Sequence, residues 1–323
     1  MKPAAVGIDV GGTKTLCVLV DRHFKKLEEV KFKTAPDEGR NRFTHKLRDS
    51  VGSLVTSARA KKLDVVAVGV GCAGTVNQEE IRINTSPNLL ELEHYPIGKY
   101  LRKVVKAKVT ICNDVHCGIH AEHELGAAKG CSHVLGVFFG TGVGGAAIIN
   151  NKLYTGASGF GGQVGGLVAQ PVGGPEAALS HGIIDRIASK SAIASEALVM
   201  AIKSWAPYLH HEVGTDLSRI TWGILERAIK HGDHRIEEML RARMRVVGIA
   251  LSNVVNFMNP EMIVLGGGLV DQMAELVREE IEAGLREYLT PEVGKALRVK
   301  PAKLGSHAVA IGAAHHAMKA ALA

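Results

Sequence analysis

The sequence predicts an α/β protein built as two related halves, and three observations predict it. Apolar strand-like runs alternate with helix-spaced runs along most of the chain. A strand, glycine turn, strand pattern occurs twice, around Gly11-Gly12 and again around Gly142 to Gly145. At 323 residues the chain also has the length of about two domains of roughly 150 residues each.

Each element has its own signal. Ala4–Val10 is an apolar run that stops at Gly11-Gly12, and Thr15–Val20 resumes it, so the two read as an antiparallel hairpin. Val30–Thr34 marks a third strand. Arg40–Lys62 carries Phe43, Leu47, Val51, Leu54 and Val55 at helical spacing. Val65–Val70 is a buried-type strand ending at Gly71-Cys72-Ala73-Gly74. Tyr100, Val104 and Val105 mark a helix, Val109–Cys112 a short strand, and His116–Ala128 a helix. The pattern then restarts with strands at Val134–Phe139 and Ala146–Asn150, so the halves join near residues 115–130. Residues 156–174 hold too much glycine for a regular element. Pro175–Asn259 is mostly helical and Glu261–Leu265 a strand ending in Gly266-Gly267-Gly268. Asp271–Leu289 is a helix, Leu297–Val299 a last strand and Ala308–Leu322 a last helix.

Composition narrows the function classes. Hydrophobic residues at 46% and charged residues at 22% exclude a disordered chain. The net charge of +7 suits an anionic substrate, but no basic block with interleaved aromatics supports nucleic-acid binding. No apolar run reaches the roughly 20 residues that span a bilayer, and the N-terminus shows no signal-peptide pattern, so a cytoplasmic location off the membrane is expected. The five cysteines are odd in number and form no CxxC pair, which argues against a disulfide framework and against a zinc finger.

Three motifs carry chemistry. Gly140-Thr141-Gly142-Val143-Gly144-Gly145 has the GxGxxG spacing, but a strand follows where a dinucleotide fold needs a helix. No Asp or Glu occurs between Glu124 and Glu176 either, so a Rossmann turn is excluded. A plain hairpin and a phosphate-binding hairpin both remain open. Asp9-Val10-Gly11-Gly12-Thr13-Lys14 sets a carboxylate at a strand end before two glycines, a hydroxyl and a cation. That order serves either a magnesium–phosphate group or a simple solvated turn. Asn113-Asp114 ends a strand and starts a helix, the place of an N-cap and also of a general base at a strand's C-terminal end. His116, His120 and His123 share a helix face, but nothing in the sequence completes a metal site. A partly exposed face without metal is therefore expected, and His210-His211 and His315-His316 are expected at the surface.

In this order, the motifs resemble the ROK family of sugar kinases, within the actin-like ATPase (ribonuclease H-like) fold. The matching stretches are GIDVGGTKT (7–15), VGVGCAGTV (68–76), SPNL (86–89), ICND (111–114), FFGTGVGGA (138–146), KLYTGASGFGGQVGG (152–166), NPEMIVLGGGL (259–269) and GAA (312–314). The resemblance implies two lobes with a mixed sheet in each and a central cleft. The smaller lobe would hold residues 1–115 and 305–323, and the larger lobe 116–304. It implies that Asp9, Gly11, Gly12, Thr13 and Lys14 form a first phosphate loop, and Gly140, Thr141, Gly142 and Gly144 a second. Gly266, Gly267 and Gly268 would lie against the adenosine of ATP. Asp114 would be the general base for a hexose hydroxyl, with Gly74, Asn88, Asn113 and Gln163 on the sugar. The cofactors implied are ATP and Mg²⁺, and the assembly implied is a homodimer, with no nucleic-acid or membrane partner.

Two departures stand out. The family's G-E-x-G-H is here Gly162-Gln163-Val164-Gly165-Gly166, so a sugar-binding Glu and a His that touches sugar and zinc are replaced. The knuckle CxCGxxGCxE is replaced by a segment without cysteine, Gln170 to Glu176, so no structural zinc is expected. Hence ATP-dependent phosphorylation of glucose or a related hexose leads. A sugar-binding regulator without kinase activity is the alternative, although the DVGG motif starts at residue 9 and leaves no expected helix-turn-helix before it.

Overall fold

The computed structural model describes residues 1–35, 38–86, 89–170 and 182–322. The chain divides into two compact units, Met1–Gly126 with His307–Ala323, and Ala127–Ser306. Each is a mixed α/β unit around a five-stranded sheet.

The first unit opens with β1 (Lys2–Val10), β2 (Lys14–Asp21) and β3 (Lys26–Lys33), followed by α1 (Arg40–Ala60) and β4 (Leu63–Cys72). A small hairpin of β5 (Thr75–Asn77) and β6 (Arg82–Thr85), the short α2 (Ile97–Leu101), β7 (Lys108–Asn113) and α3 (Asp114–Glu124) complete its first stretch. The sheet order is β3-β2-β1-β4-β7. The hairpin strands pair antiparallel, whereas β1, β4 and β7 run parallel. Parallel strands buried on both faces read as unbroken apolar runs, which is why Ala4–Val10 and Val65–Val70 show no alternation. α1 covers one face with Phe43, Leu47, Val51 and Leu54, all buried as their spacing predicts.

The second unit repeats this plan. It holds β8 (Val134–Phe139), β9 (Val143–Ile149), β10 (Lys152–Tyr154), α4 (Ile184–Ala188), α5 (Lys190–Ile202), α6 (Pro207–Val213), α7 (Trp222–Lys230) and α8 (His234–Met258). Then come β11 (Met262–Gly266), α9 (Gly268–Arg286), α10 (Pro291–Ala296) and β12 (Arg298–Pro301). The order β10-β9-β8-β11-β12 matches the first sheet strand for strand, with two antiparallel pairings followed by two parallel ones. The core of this unit lies between the sheet and α8 and α9.

The final helix, α11 (Ala308–Leu322), belongs to the first unit. It lies so close to the sheet that a Cβ on Gly7 would stand 1.8 Å from the Ala310 carbonyl oxygen, and one on Gly69 1.8 Å from that of Ala313. On its other side a Cβ on Gly312 would stand 1.9 Å from the Cys117 carbonyl oxygen, so α11 also presses on α3. This packing keeps α3 in the first unit, and the break between units follows α3 rather than preceding it.

Two expectations need correction. Cys112 and Cys117 form a disulfide, against the sequence reading. The strand-to-helix turn at Asn113-Asp114 folds the chain back within five residues and brings the two Cα atoms to 6.5 Å, inside the range a disulfide spans. Cys17, Cys72 and Cys131 are buried and take no part in a disulfide. The imidazoles expected near the surface are divided: His210 and His211 are exposed, but His315 is 5% exposed, and His116 and His123 are buried too. Among the described residues no helix is long and apolar enough to cross a membrane.

Candidate active site

In the first unit the C-terminal ends of three parallel strands stand side by side. Asp9 pairs with Gly71 and Gly71 with Cys112, while Val10, Cys72 and Asn113 share the next row. In open α/β sheets this is the edge where ligands bind. The β1–β2 turn follows Asp9. Its Gly11 amide donates to the Lys14 carbonyl at 3.1 Å, and a Cβ on Gly11 would stand 2.9 Å from that same oxygen. Thr34 holds the turn from β3's end: its hydroxyl donates to the Gly11 carbonyl at 2.7 Å and its amide to the Thr13 carbonyl at 3.0 Å. Thr13 and Lys14 stay exposed at the tip.

Asn113 settles which residue caps α3. Its Oδ1 accepts from the Val115 and His116 amides at 2.9 and 3.2 Å, and its Nδ2 donates to the Gly74 carbonyl at 3.2 Å. The cap releases Asp114 from that duty. Asp114 accepts from the Val115 amide at its Oδ1 at 2.9 Å and sits in the first turn, where a helix favours negative charge. Burial raises its carboxyl above the ordinary range, opposed by the Val115 amide, its own amide, His116 and Asn113. Asp9 is pushed up from 3.8 to about 7, first by burial and then by the charge on Asp114, with Lys14 pulling it down. The same carboxylates and burial raise the Cys72 thiol.

Gly74 has φ +92°, and a Cβ there would stand 2.2 Å from the Thr85 carbonyl oxygen. The backbone approach of β5 and β6 therefore already demands glycine at this position. Asn88 lies outside the described residues.

The second unit holds the other glycine hairpin. The Gly140 amide donates to the Gly142 carbonyl at 2.8 Å, and Thr141 is exposed at the tip. Asp185, which the sequence reading missed, anchors this hairpin as Thr34 anchors the first. Its Oδ1 accepts from the Val143 amide at 2.6 Å and would be 2.7 Å from a Cβ on Gly142. No motif flags it, because it lies 42 residues downstream of its partner. Gly144 lies half-buried on β9.

Gly266 pairs with Phe138, so the glycine run ends β11 beside the strand that leads into Gly140. A Cβ on Gly266 would strike the Phe138 ring, one on Gly267 the Phe139 carbonyl oxygen at 2.3 Å, and one on Gly268 the Trp222 ring. Gly267, at φ +89°, leads into the first turn of α9, whose backbone leaves helical geometry at Met273 (φ −131°, ψ 48°). Gln163 is exposed ahead of a tight turn at Val164–Gly166, and a Cβ on Gly166 would meet open space.

The sequence profile of the ROK family matches residues 5–320. The chain belongs to the ROK family. Among curated ROK-like relatives, the glucokinase of Thermotoga maritima is 26% identical over 310 residues, spanning 96% of this chain and 95% of its own. Among solved structures, a ROK family glucokinase from Streptomyces griseus, in complex with glucose and AMPPNP, is similar with a TM-score of 0.82 and 27% identity. That match covers 98% of this chain and 99% of the other. The N-acetylglucosamine repressor of Escherichia coli is 22% identical over 267 residues, covering 83% of this chain and 64% of its own. Each five-stranded sheet of this ROK chain belongs to the mixed α/β fold shared with the Streptomyces griseus structure. A hollow of about 410 Å³ lined by Arg102, Lys108 and His316 starts at the other end of β7 from Asp114 and has no share in this site.

Proposed function

We propose that this ROK protein is a sugar kinase that transfers the γ-phosphoryl group of ATP to a hydroxyl of glucose or a closely related hexose, with Asp114 as general base. The observation that carries the reading is the pair of half-buried carboxylates, Asp9 and Asp114, at the C-terminal edge of parallel strands, with asymmetric surroundings. Asp114 has one oxygen engaged by the Val115 amide and a raised pKa, which makes it a stronger base than an exposed carboxylate. It takes the proton of the attacking hydroxyl. The hydroxyl oxygen bonds to the γ-phosphorus, the bond from that phosphorus to the β,γ-bridging oxygen breaks, and ADP leaves. Asn113, whose side-chain amide donates to the Gly74 carbonyl and faces the Asp114 carboxyl, contributes a sugar contact in this reading. Gln163 and Asn88 complete the sugar contacts in this reading.

Thr13 and Lys14, exposed at one hairpin tip, and Thr141 at the other supply donors for phosphate, and Gly266 to Gly268 lie against the nucleotide in this reading. Asp9 fits a place beside Mg²⁺, since a carboxylate held protonated to about 7 by burial gains its charge next to a cation. Bound Mg²⁺ would neutralise phosphate charge. We extend the reading to a homodimer working in the cytoplasm, which light scattering and fractionation test.

The deciding experiment is sugar-dependent ADP release over a panel of hexoses, with and without Mg²⁺. Turnover with one or more sugars supports the kinase. ATP binding without turnover on any sugar supports the second reading, a sugar-binding regulator, which the Gln163 and Gly166 departures and the likeness to a repressor favour. Polyphosphate in place of ATP in the same assay defines the phosphoryl donor.

A further inference from the structure

We propose that His120, Glu124 and His315 form a site for one borderline divalent cation, Zn²⁺ first, that fastens α3 to α11. His120 and Glu124 are four residues apart on α3, so one helical turn stacks them on one face. His315 meets them from α11. One ligand atom from each of the three lies within 4.8 Å of the other two. His120 Nε2 and His315 Nδ1 are 2.9 Å apart, and His315 Nε2 is 3.8 Å from Glu124 Oε2.

Two imidazole nitrogens at that separation share one proton, which one ring must donate to the other. A cation can replace that proton. With Zn–N bonds of about 2.0–2.1 Å, tetrahedral ligation puts two nitrogens about 3.3 Å apart, so the rings need part by only a few tenths of an ångström. The surroundings hold the ligands ready. The Phe24 ring stands 4.3 Å from that of His315. Lys319 donates to Glu124 Oε1 at 2.7 Å, which orients the carboxylate while Oε2 faces His315.

Two neutral nitrogens and one carboxylate oxygen suit Zn²⁺, with a fourth position for water. Mg²⁺ prefers an all-oxygen shell, so this site leaves the metal of ATP alone. It uses none of the positions of the cysteine knuckle that this chain lacks. The cation would act at a distance from the chemistry: it ties the helix that starts at Asp114 to the helix packed across β1 and β4.

The test uses the full chain, stripped with a chelator, in nucleotide-free buffer with the disulfide intact. Titration with Zn²⁺ and Co²⁺ is expected to give one metal per chain. The Co²⁺ form should show visible bands of nitrogen and oxygen ligation without a near-ultraviolet thiolate band, and one equivalent of Zn²⁺ should raise Tm by a few degrees. His120→Gln and Glu124→Gln should each weaken Zn²⁺ binding at least about tenfold. Replacing the exposed pair His210→Ala and His211→Ala should leave it unchanged. Absence of stoichiometric binding by the wild type, a thiolate band, or affinity unchanged in both ligand variants overturns the proposal. Wild-type stoichiometry and spectrum decide the matter even where a variant does not fold.

Discussion

Replacing Asp9 by Asn separates what the carboxylate does for turnover from what it costs the fold. Its pKa rises from 3.8 to about 7 on folding, a shift of roughly 3 units. At 1.36 kcal/mol per unit, the folded state loses up to about 4 kcal/mol relative to the unfolded chain once Asp9 is ionised in both. Asp9 keeps some contact with water, which makes that figure a ceiling. The sign follows from proton binding. Below about pH 4 both states hold the proton and nothing is lost. Between about 4 and 7 the unfolded chain releases it and the folded protein keeps it, so stability falls as pH rises. Above about 7 the full cost is in place. Urea unfolding of wild type and Asp9→Asn from pH 4 to 8.5, without nucleotide or Mg²⁺, reads this directly. The variant's advantage should grow by up to about 1.4 kcal/mol per pH unit across the window and then level off. Turnover by the variant should collapse meanwhile. A stability difference independent of pH would refute the claim that burial and Asp114 hold Asp9 protonated.

Asp114→Asn should lower kcat by about 10²–10⁴ with KM for sugar and ATP nearly unchanged, measured by coupled ADP release alongside Tm. Unaltered kcat would return Asp114 to an ordinary first-turn residue. Thiol titration of denatured, unreduced protein should find three thiols, Cys17, Cys72 and Cys131, and five after reduction; five without reductant would show the bridge open. Gly267→Ala puts a Cβ 2.3 Å from the Phe139 carbonyl oxygen at φ +89°, so it should cost at least about 1–2 kcal/mol of stability and weaken ATP binding, by urea unfolding and calorimetry. Gln163→Glu with Gly166→His should fold normally, because position 166 has open space, and should sharpen selectivity for glucose over its C2 analogues by about 1–3 kcal/mol. Unchanged kcat/KM ratios would remove this loop from sugar recognition.

The doubled architecture was legible because it rests on local patterns. Unbroken apolar runs and glycine turns are sequence features that mark two related halves, whereas the equal sheet orders rest on parallel pairings between distant strands. Asn113-Asp114 was legible as a strand-to-helix corner, but the division of labour between them was not. Either residue can cap, and only the bonds from Asn113 to Val115, His116 and Gly74 decide it. What escaped the sequence depends on contacts far apart along the chain. Asp185 reaches Val143 across 42 residues, and His315 reaches His120 across 195. The Cys112–Cys117 bridge escaped for the opposite reason. It is local, but a CxxxxC spacing forms a bridge only where the backbone reverses, as at this corner. The terminal apolar helix was predicted as an element, yet nothing in its composition tells which sheet it covers.

That last placement bears on how the protein is made. Residues 1–126 leave the ribosome first but complete their fold only with 307–323, whose helix lies against Gly7 and Gly69. The second unit is continuous in the chain and depends on no such late segment. The first unit is thus begun early and closed only by the last stretch of the chain. Until α11 arrives, one face of β1 and β4 waits uncovered, with the apolar side chains of Ala5, Val18 and Ala67 open to solvent. During this interval the nascent chain is most exposed to aggregation and to chaperones. A released chain of residues 1–306 should accordingly resist protease in the second unit and be cut in the first.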